Sequence, residues 1–193
     1  ERNEACQDEF LTFVRTMWPQ FVTGRHHEII AEKLERVASG SLKRLIINMA
    51  PRHTKSEFAS FLFPAWMMGR NPSMKIIQAT HTTELAVNFG RKTKNLIESE
   101  DFQEVFPEVK LAADSKASGR WDTSAGGMYY AVGVGSNLAG RGGDLVIIDD
   151  PHSEQTAMSN NGFDDAWDWY TGGPRQRLQP GGSIVLVQTR WSE

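Results

Sequence analysis

Two short stretches carry residue types that could do chemistry on a phosphate. The first is Lys55-Ser56-Glu57, reached from the apolar run Leu45-Ile46-Ile47 through Pro51-Arg52-His53-Thr54. A buried strand leading into a tight polar turn, with a helix opening at Lys55, would aim backbone N–H groups and the positive helix end at one spot. Lys55 would reach the outer phosphates, and the Ser56 hydroxyl would hold Mg²⁺. The spacing fits G-x-x-x-x-G-K-[ST], except that Met49 and Thr54 occupy the glycine places. Because Thr54 has a Cβ, the loop is expected to avoid positive φ there. The bland alternative is an ordinary strand-turn-helix with a surface lysine.

The second stretch decides between them. Asp144-Leu145-Val146-Ile147-Ile148-Asp149-Asp150-Pro151 reads as a strand buried on both faces, ending in two carboxylates where parallel strands meet a ligand crevice. Successive side chains on a strand point opposite ways, so the two acids should do different jobs. Asp149 would support Mg²⁺, and Asp150 would orient an attacking water. Two solvated turn aspartates before a proline are the bland reading, and the Lys-Ser turn upstream weighs against it.

The elements that must position these residues follow from the hydrophobic pattern. A helix is expected over residues 4–17, ended by Trp18-Pro19, and a second over 26–38 with Ile29, Ile30, Leu34 and Val37 as its stripe. After the loop, Phe58, Phe61, Leu62 and Trp66 mark a helix that Pro64 should kink or end. Residues 74–79 read as a strand. Thr80-His81-Thr82-Thr83 offers a cap for a helix running to about Glu98, with Leu85, Phe89, Leu96 and Ile97 as its apolar stripe. Trp121-Asp122 and residues 128–132 look like an antiparallel pair, a short helix is expected over 163–170, and residues 184–191 form another buried strand after Gly181-Gly182. Strands alternating with helices indicate an α/β domain with a mostly parallel sheet.

Composition narrows the class. The 193 residues suit one domain, and 39% hydrophobic content with mixed charge excludes disordered and fibrous chains. No apolar run approaches the roughly 18 residues a membrane span needs, and the N-terminal residues are unlike a secretory signal. One cysteine, Cys6, excludes an internal disulfide and makes a reducing cytoplasm the simplest compartment. A net charge of -3 argues against coating nucleic acid by bulk electrostatics. The end at Trp191-Ser192-Glu193, just past an apolar run, reads as a fragment of a longer protein.

Ala50-Pro51-Arg52-His53-Thr54-Lys55-Ser56-Glu57, Gly140-Arg141-Gly142-Gly143-Asp144 running into residues 145–151, and Gln188-Thr189-Arg190-Trp191 together resemble one family. It is the ATPase domain of the large terminase subunit of tailed double-stranded DNA bacteriophages. The resemblance spans residues 20–193. It implies a RecA-like (ASCE) P-loop NTPase core over residues 41–193, with N-terminal helices over 1–40 contributing to the nucleotide pocket. It also implies that this chain lacks the nuclease half of such proteins. The implied activity is an ATP-driven motor, using ATP and Mg²⁺, that packages double-stranded DNA in the host cell cytoplasm. The implied partners are the portal protein, the small terminase subunit and further copies in a ring, a pentamer when packaging, with no membrane.

By the same resemblance, residues 52–56 cradle the phosphates, with Lys55 on the β and γ groups, Ser56 and Asp149 at the metal, and Asp150 as base. Many such motors have Glu where Asp150 stands, and an aspartate is shorter by roughly 1.5 Å, so Glu154 is the fallback. Phe21, His26 and His27 fall in the adenine-contacting segment, and Thr189-Arg190-Trp191 in the coupling segment. The arginine that meets charge on the γ-phosphoryl group is Arg141 if a neighbour supplies it, with Arg52, Arg91 and Arg120 as alternatives. Arg91, Lys92 and Lys94 form a basic helix face that is a DNA-contact candidate or simply solvated. The rival readings are a helicase-like ATPase, a small-molecule kinase, a nucleotide-binding module with little turnover, and a nuclease metal site.

Overall fold

A computed structural model of the chain describes residues 2–115, 117–138 and 140–189. The β-branched runs become strands: β1 (Arg44–Asn48), β2 (Lys75–Thr80), β3 (Arg120–Asp122), β4 (Met128–Gly133), β5 (Gly143–Asp149) and β6 (Leu178–Gln188). Among the described residues they make one sheet in the order β1-β6-β5-β2-β4-β3. Neighbours are parallel except β3, which runs antiparallel to β4. Strand β6 therefore lies between the lysine-turn strand and the aspartate strand. Its register, Ile47 opposite Val187 and Asp149 opposite Val187 on the other side, brings both strand ends to the same edge.

Side-chain alternation splits the core into two layers. One face gathers Phe10, Phe58, Phe63, Trp66, Ile147 and Val185 into a single cluster. It is covered by α1 (Arg2–Asp8), α2 (Phe10–Met17), α3 (Arg25–Ala38), α4 (Phe63–Arg70), α5 (Thr83–Glu98) and α6 (Glu100–Val105). Phe10 sits at its centre, with Phe58 and Phe63 edge-on at 5.6 Å and Trp66 at 5.3 Å. Each such ring contributes about 1.5–3 kcal/mol by leaving water. The opposite face buries Ile77, Val146, Ile148 and Ile184, with Trp169 and Tyr170 packed on them from α8 (Gly162–Gly172). The short α7 (Glu154–Ala157) precedes α8. Among the described residues no helix is long and apolar enough to cross a membrane.

Several elements depart from the sequence pattern for local reasons. The expected helix over 4–17 is two helices, because Glu9 is extended (φ -114, ψ 116) and the Phe10 N–H donates to Glu35 Oε1 of α3 at 2.8 Å. Ahead of Pro64 the chain forms a π-helical turn, Glu57–Leu62, and the proline sits in the first turn of α4, where its missing N–H is harmless. Helix α5 is capped by Thr82 as its sequence predicts, yet its buried face is Ala86, Gly90, Thr93 and Ile97. Leu85 is left exposed. A Cβ at Gly90 would lie 2.4 Å from the Ser118 carbonyl oxygen, so close approach selects small residues over large ones. Strand β6 starts at Leu178, and Gly181 (φ +78) sits inside it near a register shift against β5.

Candidate active site

The turn after β1 places Lys55 and Ser56. Met49 N–H still donates to Gln188 of β6, after which the chain folds back and becomes helical at Lys55. Arg52 (φ 62) and Thr54 (φ 60) are both left-handed. The expectation that the Thr54 Cβ would keep the loop out of this region is thus corrected. A left-handed L-residue costs roughly 1–2 kcal/mol, and hydrogen bonds at Thr54 offset that cost. Its Oγ1 donates to the His53 carbonyl at 2.6 Å and lies 2.6 Å from His27 Nε2, while its own carbonyl accepts from Phe58 N–H. Arg52 and His53 stand exposed at the rim.

The turn after β5 brings the acids to the same place. Asp149 is buried, accepting from Ser56 Oγ on Oδ1 at 3.1 Å and from Ser60 Oγ on Oδ2 at 2.6 Å. Burial pushes its carboxyl up to about 6, and Asp150 adds to the shift; the two serines and Lys55 work against it. Strand alternation predicts that Asp150 points away from its neighbour. Instead Asp150 leaves strand geometry (φ 41) and turns back, so both carboxylates face the loop. Lys55 Nζ lies 3.4 Å from Asp150 Oδ2, with the lysine buried. The turn is fixed on three further sides. Asp150 N–H donates to Val187, Thr189 N–H donates to Asp150 Oδ1 at 2.6 Å, and His81 Nδ1–H donates to the Asp150 carbonyl at 3.1 Å.

Sequence reading missed Ser60 and His81. Ser60 lies one helical turn beyond Ser56, and that i, i+4 pair was the available signal. His81 follows the tip of β2, whose Thr80 pairs with Asp149, so its position becomes informative once strand order is known.

Of the other nominated residues that are described, His27 and Thr189 touch the two turns, and the rest make no hydrogen bond or ion pair with the acids or Lys55. Phe21 packs against Trp18 (5.3 Å), His27 (4.7 Å) and Phe58 (5.3 Å), and the His26 ring lies tilted beside His27 at 3.8 Å. His27 is buried and bonded to the loop. Glu57 pairs with Lys92 at 3.0 Å, and Lys94 donates to Ser115, so two cations of the basic α5 face are engaged within the fold. Arg91 is exposed and donates to Asn88; Arg120 is exposed on β3. Arg141 lies over the Tyr130 ring at 4.1 Å, just before β5 begins. The strand that follows it is seven residues long with Asp149 at its other end, and Tyr130 is level, through Ile77, with Val146 in the middle of that strand. Glu154 is exposed in the first turn of α7. Thr189 is buried against Asp150, while Arg190 and Trp191 lie outside the described residues.

The donors fit a cation shared with a phosphate. Among the described residues no group of three or more His, Cys, Asp or Glu could hold a metal by itself. One carboxylate and one serine hydroxyl, already in contact, suit Mg²⁺, which keeps waters and takes the rest of its oxygens from a substrate phosphate. A groove of about 550 Å³ between β1, β6 and α8 is lined by Ile148, Pro151 and Gln188 but by neither Lys55 nor Asp149.

No family model and no curated protein matches the sequence. By structure, the chain is similar to the large terminase of bacteriophage HK97, with a TM-score of 0.60 at 12% identity over 94% of this chain and 37% of that one. It is also similar to the large terminase of a thermophilic bacteriophage, with a TM-score of 0.49 at 15% identity over 81% of this chain and 38% of that one. The chain thus spans less than two fifths of the length of either. The likeness to the HK97 protein, with the strand order above, establishes the fold as an α/β, RecA-like P-loop core.

Proposed function

We propose that this chain is the ATPase domain of a viral large terminase subunit, a motor that hydrolyses ATP to drive double-stranded DNA into a capsid. The observation that carries the reading is the meeting of Ser56 with Asp149 across 93 residues of sequence, beside the pair of Lys55 and Asp150. Phosphoryl transfer by this design is positioning and charge neutralisation. Bound Mg²⁺ would neutralise charge on the β and γ phosphates, held by Ser56 and Asp149. Lys55 would leave Asp150 for the phosphates, and loop amides from Arg52 to Glu57 would cradle them. The freed Asp150 would orient the water. Thr189, bonded to Asp150, would pass its displacement to the segment beyond β6.

On this reading residues 1–40 supply helices beside the nucleotide pocket and residues 41–193 form the motor core. Phe21 and His27 line its base side. Glu154, exposed on α7, serves as reserve base only if α7 moves. Arg141, which rests on Tyr130 and not on the acids or the loop, would be presented to the neighbouring copy in a ring. The portal protein, the small terminase subunit and the host cell cytoplasm complete the setting.

The test is ATP turnover by the protein assembled with portal and double-stranded DNA. Turnover is expected to require Mg²⁺, and Arg141→Ala is expected to abolish assembly-dependent turnover while sparing ATP binding. Turnover that survives chelation of Mg²⁺, or no ATP binding at all, would remove the reading. The double hold on Asp150 favours one alternative, a nucleotide-binding module with little turnover. Equal turnover in Asp150→Asn and the unaltered chain would select it.

A further inference from the structure

The left-handed Thr54 requires an explanation, because glycine is the residue that enters this conformation without a steric penalty. The hydrogen bonds around it form a chain whose directions are fixed by what each atom is able to do. Gly24 N–H can only donate, so His27 Nδ1, at 2.8 Å, must accept. The neutral ring then carries its proton on Nε2 and donates to Thr54 Oγ1 at 2.6 Å. Thr54 passes its own hydroxyl proton toward the His53 carbonyl at 2.6 Å. His27 and Thr54 each take one bond and give one, so the chain runs in one direction from Gly24 to His53.

The ring itself cannot swing away. His27 is buried at the start of α3, stacked on Phe58 at 5.1 Å with the edge of Phe21 at 4.7 Å. Phe58 belongs to the helix that Lys55 opens, so the ring is packed against the element that follows the loop as well as bonded to the loop. Burial, with His26 and His53 nearby, draws the ring's pKa below its ordinary value and keeps the neutral form this chain of bonds needs.

We propose that His27 is a positioning residue that holds the phosphate loop in its binding shape, doing through a side chain what glycine at position 54 would do by lacking one. This rests on the nucleotide-loop reading above for its consequence, although the hold on the loop stands without it. Base contact alone would leave the ring with no reason to be bonded to Thr54.

The experiment is a coupling test on the full chain. Affinity for Mg·ATP is measured by calorimetry, and exchange of the amides of residues 52–58 is measured without nucleotide. His27→Phe keeps the aromatic packing and removes both bonds; it is expected to weaken ATP binding roughly tenfold and to speed loop exchange. Thr54→Val keeps the branched Cβ and removes Oγ1; it should do the same, and its partly exposed position makes loss of the fold no concern. In a Thr54→Gly background, the penalty of His27→Phe should shrink to about twofold or less, since a glycine needs no support there. An undiminished penalty in that background would assign His27 to packing or base contact and overturn the proposal, as would a silent Thr54→Val. Should the unaltered chain bind no ATP, the functional reading fails, while the exchange measurement still decides whether His27 holds the loop.

Discussion

The turn after β1 and the turn after β5 face one another across one gap, and each contains left-handed residues other than glycine. They are held by opposite means. The loop turn strains Arg52 and Thr54, and a side chain from a separate helix, His27, supports the second. The acid turn strains Asp150, and the backbone of β6 at Val187 and of Thr189 just past its end grips it. An acid held by the sheet is set as soon as the sheet forms. A loop held by a side chain can change shape while the sheet stays still. That division suits a site that must admit a ligand yet keep its carboxylates in place.

The contact that spans the two turns is the first place to break the comparison. Lys55→Ala removes the charge between them, and ATP turnover by the assembled motor is expected to fall roughly 10³-fold, the scale of losing a preorganised electrostatic partner. A fall of less than tenfold in steady-state turnover would mean that the loop turn does not serve the acid turn.

A second experiment asks whether the acid turn stores the cost of a buried charge. The Asp149 carboxyl rises from 3.8 to about 6 on folding. Between those values the folded chain takes up a proton that the unfolded chain does not. The contribution of Asp149 to stability is therefore fully present below the unfolded value and is lost as pH rises through about 6. A shift of this size corresponds to about 3 kcal/mol. Asp149→Asn removes the charge, so without Mg²⁺ it should be more stable than the unaltered chain at pH 7.5 by about 1–3 kcal/mol. The two should converge near pH 4. Urea unfolding across pH 4–8 reads this directly, and parallel curves would show that Asp149 carries no such cost.

How much of this was legible in the sequence follows the same division. Strands β2 and β5 were legible because continuous apolar runs name strands buried on both faces. The run of β1 also names a strand, but it lies at the sheet edge and leaves Ile46 exposed, so the expectation that it is buried is corrected. Lys55, Ser56, Asp149 and Asp150 could be nominated because their spacing follows from the strands that carry them. The buried face of α5 could not, since its tight approach to Ser118 and Tyr129 prefers Gly90 to the larger Leu85 that hydrophobicity favours. The bond from His27 to Thr54 and that from His81 to Asp150 span 27 and 69 residues, and neither leaves a periodic trace. Thr54 misled for a physical reason: its branched side chain argues against positive φ until the partner that compensates for it is known.

The smallest expected effect sharpens the comparison most, because it sets one histidine against another. His81 supports the acid turn as His27 supports the loop turn, but its bond to the Asp150 carbonyl is longer, at 3.1 Å, and the ring is only partly buried. With His81→Ala, Asp150 still has its N–H on Val187 and its Oδ1 on Thr189. The loss is one hydrogen bond of about 0.5–1.5 kcal/mol, with water free to replace it. Turnover should therefore fall by no more than about threefold, and ATP affinity should shift by less than about twofold. His27→Phe should instead act chiefly on affinity. Should His81→Ala weaken ATP binding as much as His27→Phe does, the backbone of β6 is not what fixes the acid turn, and the two turns are held alike.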